Sequence, residues 1–211
     1  MKRELFEREV RAAGLEALRE PLAAALDLLA GALHGGGKVL VCGNGGSAAD
    51  SEHIVGELMK GFRSRRPLPE ADRDRLEAAC GLEGRALAGR LQRALPAISL
   101  VSQVSLGSAV ANDLGADLVF AQQVYGYGRP GDALIAISTS GNAGNVLAAC
   151  RTARAFGLKV LGLTGADGGR LAQACDVCLR APASETSAVQ VWHLRAYHLL
   201  CGLLEAELFG A

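Results

Sequence analysis

The stretch Lys38-Val-Leu-Val-Cys42, followed at once by Gly43-Asn-Gly-Gly-Ser47, decides the fold class of this 211-residue chain. A short apolar run that ends in a glycine-rich turn and continues as a helical pattern over residues 48–60 is typical of a strand–loop–helix unit. Short buried strands that alternate with helices predict an α/β fold with a mostly parallel, five-stranded sheet. The remaining four apolar runs lie at residues 97–101, 132–137, 159–163 and 176–180.

The segments around these units are predicted to be helical. Apolar spacing predicts one long or two shorter helices over residues 3–33, interrupted near Gly14 and Pro21. One helix is predicted between the second and third strands, over 105–114, and a last helix over 184–208. Residues 63–96 differ, with eight Arg against five acidic residues. We expect a single domain over 1–211, with a solvated helical hairpin inserted at 63–96; a phosphate-steering or partner-binding patch is the alternative.

Charge and composition exclude several classes of protein. Lys and Arg together number 22, as do Asp and Glu, and this zero net charge argues against a general binder of nucleic acid or membrane surfaces. No apolar stretch reaches about 18 residues, so no membrane span is predicted, and the charged N-terminus is unlike a secretory signal. The six cysteines lack a disulfide framework spacing, so reduced thiols in a cytoplasmic protein are expected. Cys175 and Cys178 form a C-x-x-C pair; a redox or zinc role is the minority interpretation, because the pair enters an apolar run.

The loop Ser138-Thr-Ser-Gly-Asn142 lies between a predicted buried strand and a helix. Three consecutive hydroxyls and the amides of a helix N-terminus suit a phosphate group, whereas an ordinary N-cap would need only one hydroxyl. Because the loop contains no Lys or Arg, it favours a sugar phosphate over a nucleoside triphosphate. The loop Gly43–Ser47 would let its backbone approach a ligand closely, although simple turn chemistry explains its glycines as well.

A small set of ionisable residues could carry the chemistry. His53 and Glu57 are four residues apart on one helix face, where they could bind a divalent cation such as zinc or act as an acid/base pair. Gln190 and His198 lie on the last helix, about 12 Å apart along its axis. Two side chains that far apart on one helix could hardly bind the same ion, so we hypothesise a site built by more than one subunit.

Six motifs in the correct order make the chain resemble the sugar isomerase (SIS) family, and within it the phosphoheptose isomerases. The resemblance covers nearly all of the chain outside 63–96. The motifs are Cys42-Gly-Asn-Gly-Gly-Ser-Ala-Ala-Asp-Ser-Glu-His53, Ala111-Asn-Asp113, Phe120-Ala-Gln-Gln123, Gly128-Arg-Pro-Gly-Asp132, Ile137-Ser-Thr-Ser-Gly-Asn142 and Gly162-Leu-Thr-Gly165.

This resemblance implies a three-layer, flavodoxin-like α-β-α sandwich. It also implies isomerisation of D-sedoheptulose 7-phosphate to D-glycero-D-manno-heptose 7-phosphate, in bacterial heptose biosynthesis. Further implications are a homotetramer with active sites between subunits and one Zn²⁺ per subunit. Glu57 would be the proton-transferring base and His198 the second acid/base. The metal positions match His53, Glu57, Gln190 and His198. The substrate positions match Asn44, Gly45, Gly46, Glu57, Asn112, Asp113, Ser138, Thr139, Ser140 and Gln190.

Two departures from the family pattern bear on the substrate. Ala143 replaces the last serine of the phosphate loop, and Ala188 replaces an arginine found in many members. Two other functions therefore compete with the heptose isomerase. One is a non-catalytic SIS adaptor of the replication-initiator type or a sugar-phosphate sensor, which has no need of the acid/base set. The other is an isomerase or deaminase of another phosphosugar.

Overall fold

Five parallel strands form the centre of the computed structural model, which describes residues 3–210. Residues 1, 2 and 211 of the predicted domain lie outside the described part. The strand order is β2-β1-β3-β4-β5, a flavodoxin-like order. Each neighbouring pair is parallel. The strands are β1 (Val39–Gly43), β2 (Ala97–Ser99), β3 (Ala133–Ile137), β4 (Lys159–Thr164) and β5 (Val177–Arg180).

Helices cover both faces of the sheet, because alternate strand residues point to opposite sides. In β1, Val39 and Val41 join one apolar core, while Leu40 and Cys42 join another. The first core includes side chains of the N-terminal and C-terminal helices, and the second includes those of the helices after β2 and β3. Both faces of the strands are therefore buried, which explains their continuous apolar sequences. The predicted three-layer α-β-α sandwich is confirmed.

The helices agree with the sequence pattern except at two places. Pro21 does not interrupt a helix: it lies in the first turn of α2, where a missing N–H leaves no hydrogen bond unmade. The break falls instead at residues 13–18, around Gly14. No helix within residues 3–210 is long and apolar enough to cross a membrane. The helices are α1 (Arg3–Ala12), α2 (Arg19–His34), α3 (Gly46–Met59), α4 (Glu70–Ala88), α5 (Val104–Asp113), α6 (Val119–Tyr127), α7 (Gly144–Ala155), α8 (Leu171–Ala174) and α9 (Thr186–Phe209).

The second difference is an additional helix between β2 and β3. The sequence predicts only one helix there, but α6 follows α5 after a short 3-10 turn. Phe120 and Val124 of α6 are buried in the second core, on the sheet face that Leu40 and Cys42 also occupy. The family motif Phe120-Ala-Gln-Gln123 lies in this helix, although the sequence pattern predicted no helix there.

Residues 63–96 lie between α3 and β2 and contain α4, which folds back at Gly81 (φ +58°). The Arg85 Nη2 atom lies 2.6 Å from Glu77 Oε1. Eight residues of straight helix would separate these positions by about 12 Å, so the contact requires a chain reversal. An antiparallel bridge between Pro67 and Gln92 joins the two ends of the segment.

The edge of the sheet where the strands begin is held by a buried carboxylate. Asp132 is 3% exposed and directly precedes β3. It accepts hydrogen bonds from the Lys38 and Arg129 amides, at 2.9 and 2.8 Å, and from Lys38 Nζ at 2.6 Å. These bonds join the starts of β1 and β3, far from the loops at the opposite edge.

We predict that Asp132→Ala lowers the free energy of unfolding by roughly 3 kcal/mol, because it leaves a buried ion pair without its anion. Asp72→Ala is the matched control, since it removes an exposed pair with Arg75 and should cost less than about 1 kcal/mol. Urea unfolding at fixed protein concentration measures both. Equal losses would contradict a structural role for Asp132.

Candidate active site

Two loops meet where β1 and β3 end. The strands are paired in register, with Gly43 opposite Ile137, so the loops that follow them leave the sheet side by side. Asn44 and Asn145 exchange two side-chain hydrogen bonds, each of 2.9 Å. This pair ties the glycine loop to the first turn of α7. The fold thus brings Asn44 close to Ser138, Thr139 and Ser140, whereas nothing in the sequence pointed to Asn145.

The serine loop does not serve as an ordinary cap of α7. The N-cap position is Ala143, which makes no side-chain capping bond. Ser138 is buried and its Oγ accepts from the Ala143 amide at 3.5 Å, while Ser140 Oγ accepts from Asn142 at 3.2 Å. The hydroxyls therefore shape the loop, and the first turn of α7 keeps amides that suit an anion.

A cation reaches the serine loop from elsewhere in the chain, although the loop itself contains no Lys or Arg. Arg170, at the start of α8, donates from Nε to Asn142 Oδ1 at 3.3 Å and from Nη2 to its carbonyl oxygen at 3.1 Å. The two residues are 28 positions apart in the sequence. A count of charges within the loop could not find this guanidinium, because the fold brings it there.

The glycine loop lies against α9. Gly45 has φ +56°, a left-handed conformation that glycine adopts without strain. A Cβ atom on Gly46 would collide with the amide nitrogen of the Gln190 side chain. Gln190 therefore lies beside Gly46, another of the predicted substrate positions.

His53, Glu57 and His198 form a cluster farther along the same two helices. His53 Nε2 lies 3.2 Å from Glu57 Oε1 and 3.4 Å from His198 Nε2. Burial is the main cause that lowers the pKa of His198, and the nearby His53 lowers it further. The cluster joins three of the four predicted metal ligands. Gln190 stays apart, since Gly46 and His53 are separated by about 10 Å along α3.

A hydrogen-bond chain orients His53. Tyr197 is buried, and its hydroxyl lies 3.2 Å from Asp50 Oδ1 and 3.0 Å from His53 Nδ1. Tyr197 has one proton, and when it donates that proton to Asp50 its oxygen can accept from His53 Nδ1. In that tautomer His53 Nε2 has the lone pair that a metal ligand or a base requires. Burial raises the pKa of Tyr197, and Asp50 raises it further, which keeps the phenol protonated.

The two imidazoles and the carboxylate of this cluster are ligand types that zinc binds. Two ligands of a tetrahedral zinc ion lie about 3.3 Å apart, because each bond is about 2.0–2.1 Å long. The two contacts of His53 match this spacing. As placed within residues 3–210, however, no three His, Cys, Asp or Glu side chains surround a common point as metal ligands do.

Asn112 and Asp113 are not brought to this cluster. They are exposed at the end of α5, where Asn112 Nδ2 donates to Asp113 Oδ1 at 2.8 Å. The opposite end of α5 borders a cleft of about 350 Å³ beside the glycine loop. Within the described residues, neither Asn112 nor Asp113 lines that cleft. Their predicted contact with substrate therefore has no counterpart within this one chain.

The chain matches the SIS domain over residues 7–72 and 78–165, and it belongs to that family. It is 43% identical to a phosphoheptose isomerase from Rhodospirillum rubrum, over 89% of this chain and 86% of the relative. The solved phosphoheptose isomerase from Neisseria gonorrhoeae is 32% identical, with a TM-score of 0.73 over 96% of this chain and 94% of that one. The one from Francisella tularensis is 31% identical, with a TM-score of 0.74 over 95% and 93%.

His193, on α9 between Gln190 and His198, gives the fold a dependence on pH. Its side chain is 2% exposed, and Nε2 donates to the Thr164 carbonyl at 3.2 Å. Nδ1 has no hydrogen-bond partner among residues 3–210. Burial lowers the pKa of His193 below its usual value of 6.5. As the pH falls below about 6.5, the unfolded chain therefore binds this proton before the folded chain does, and stability is lost.

We predict that His193→Gln, which keeps a donor for Thr164, reduces the pH dependence of unfolding. Between pH 7.5 and 5.5 the wild type should lose up to about 1.4 kcal/mol per pH unit more than the variant. Urea unfolding across this range measures the difference. Parallel curves for the two proteins would show that His193 does not titrate on unfolding.

Proposed function

We propose that this chain converts D-sedoheptulose 7-phosphate to D-glycero-D-manno-heptose 7-phosphate through an enediol(ate). The observation that carries the proposal is the cluster of Glu57, His53 and His198 on α3, which follows the glycine loop, and on α9, which contacts that loop through Gln190. The phosphoheptose isomerases that the chain resembles over most of its length support the substrate. A non-catalytic adaptor would have no use for this cluster.

The phosphate group binds at the serine loop in this proposal. The hydroxyls of Ser138, Thr139 and Ser140 and the first amides of α7 supply donors, and Arg170 adds a positive charge nearby. Ala143 supplies no hydroxyl, so one donor of the usual family loop is missing. Asn44, held by Asn145, closes the other side of the site beside Gln190.

The reaction moves a carbonyl group from C2 to C1 and requires two kinds of proton transfer. Glu57 takes the proton from C1 to form the enediol(ate), and then returns a proton to C2. His198 transfers a proton between the oxygens on C1 and C2, so the atoms balance without an oxidant. Its lowered pKa favours the neutral imidazole, which can both accept and donate. His53 contacts both residues and aligns them.

Zinc at one ion per chain is part of the proposal. His53, Glu57 and His198 would hold it, and the carbonyl oxygen of a Gln190 side chain from another copy of the chain would complete the set. When bound, the ion would stabilise negative charge on the substrate oxygens as a Lewis acid. A carboxylate bound firmly to zinc is a weaker base, so Glu57 can serve both purposes only if its coordination loosens.

A cytoplasmic homotetramer with sites between subunits completes the proposal. Gln190 is too far from His198 for both to bind one ion from one rigid helix, and Asn112 and Asp113 are remote from the cluster. Large apolar side chains on α5 and α9 are exposed in the single chain, as surfaces covered by another copy would be. The examples are Val104 (78%), Leu106 (37%) and Val191 (55%). Six free cysteines suit a reducing compartment.

We predict that the wild type interconverts sedoheptulose 7-phosphate and the aldoheptose phosphate, and that Glu57→Gln and His198→Ala each lower kcat at least 100-fold, because a positioned acid or base contributes that much. NMR of the sugar phosphates measures turnover. His34→Ala is the matched control, since His34 is an exposed histidine at the end of α2 and should leave kcat unchanged. An inactive wild type with zinc supplied would refute the substrate, whereas active variants would refute only the assigned roles.

We also predict about one zinc ion per chain in the purified protein, and a loss of most of it in His53→Ala, which removes the shared member of the cluster. Elemental analysis of dialysed protein measures the metal, with His34→Ala again as the control. Full turnover by protein stripped of metal would show that catalysis does not need the ion.

A further inference from the structure

Glu205 is a carboxylate buried in the protein interior, two helical turns beyond His198 on α9. It is 1% exposed, and its two oxygens accept four hydrogen bonds. The amides of Phe62, Arg63 and Ser64 donate at 2.9, 2.8 and 3.0 Å, and Arg66 Nε donates at 2.7 Å. Burial alone would raise the pKa of Glu205, but these donors outweigh it and lower the pKa. The carboxylate is therefore ionised, and it fixes the loop that follows α3.

Arg66 carries this connection back to α3. Its side chain is fully buried, and Nη1 donates to the Leu58 carbonyl at 2.7 Å while Nη2 donates to the Glu57 carbonyl at 3.3 Å. These carbonyls lie in the last turn of α3, where helices lack internal donors. A guanidinium placed there satisfies them and interacts favourably with the helix dipole. The backbone of Glu57 is thereby attached, through one side chain, to Glu205 on α9.

The same loop also contacts the other proposed acid/base residue. The ring of Phe62 lies 5.6 Å from the ring of His198, centre to centre. The Phe62 amide is one of the donors to Glu205. One buried carboxylate thus reaches both Glu57, through Arg66, and His198, through Phe62.

Stability alone gives little reason for such a pair, since buried ion pairs can often be replaced by apolar residues at no cost. We propose that Arg66 and Glu205 are positioning residues, which hold Glu57 on α3 and His198 on α9 at the separation that proton transfer requires. This inference rests on the proposed function for the reaction, but the geometry it describes can be tested without substrate. Neither residue touches the reacting atoms.

The test compares three variants. Arg66→Met with Glu205→Leu removes both buried charges together, which avoids an unpaired buried charge, and the contacts to α3 and to loop 62–64 are lost. Arg66→Lys keeps the charge but cannot reach Glu205 and two carbonyls at once. Asp132→Ala is the matched control, because it disrupts a buried carboxylate whose hydrogen bonds go to Lys38 and Arg129 and not to α3 or to loop 62–64. If the double variant does not fold, Arg66→Lys carries the test.

We expect kcat for sedoheptulose 7-phosphate to fall at least tenfold in the double variant and in Arg66→Lys, since a displacement of about 1 Å can cost more than that. KM should change less than about twofold, because the serine loop is untouched. Asp132→Ala should lose stability and keep its kcat. Wild-type kcat in a folded Arg66 variant, or an equal fall in Asp132→Ala, would overturn the proposal.

The imidazole NMR signals of His198 give a readout that needs no substrate. In the double variant they should move in the direction produced by Phe62→Leu, which removes the ring current directly. Unchanged His198 signals would overturn the proposal whatever the activity. If the wild type fails to turn over the sugar phosphate, the proposed function falls, and the His198 signals still decide whether the pair fixes this geometry.

Discussion

The parallel alignment of β1 and β3 at the centre of the sheet is the constraint on which the candidate site depends. Their register places Gly43 opposite Ile137, so both strands end at the same level. The glycine loop and the serine loop therefore begin side by side, and the helices that follow them start at the same edge. Asn44 and Asn145 lock this arrangement through two hydrogen bonds. A one-residue slip of either strand would separate the loops and turn its apolar side chains away from their cores.

The pairing of α3 with α9 divides the site into three levels. The helices run in the same direction, so contacts follow one another in order along both. Gln190 meets Gly46 at the substrate level, His198 meets His53 at the level of proton transfer, and Glu205 anchors the loop after α3. The polar groups of α9 thus contact successive levels of the site, while its buried residues, such as Val189, Ala196 and Leu200, pack into the core.

Much of the fold and part of the site could be predicted from the sequence because the signals are local. Each apolar run is a strand, each glycine- or serine-rich loop follows a strand end, and His53 and Glu57 share a helix face by spacing alone. The distance argument about Gln190 and His198 also agrees with the fold, which keeps the two side chains apart in one chain. Their union through a second subunit stays a prediction.

The side chains that sequence reasoning missed all depend on long-range contacts. Asn145 meets a residue 101 positions earlier, and Glu205 meets Arg66 at a distance of 139 positions. Arg170 reaches the serine loop only because α8 packs beside it. An Asn in a first helical turn or a Glu in an apolar helix has ordinary explanations, so composition and spacing give no reason to choose them. No separate helix was predicted at α6, because only a short 3-10 turn divides it from α5, and that turn contains no Pro to signal a boundary.

A crystal structure of Glu57→Gln with sedoheptulose 7-phosphate tests most directly the claim that this sheet edge binds the sugar phosphate for proton transfer. We expect the phosphate group within hydrogen-bonding distance of Ser138, Thr139, Ser140 and the first amides of α7. We also expect C1 and C2 of the sugar between residue 57 and His198. A phosphate bound elsewhere, or carbons remote from both helices, would contradict that claim.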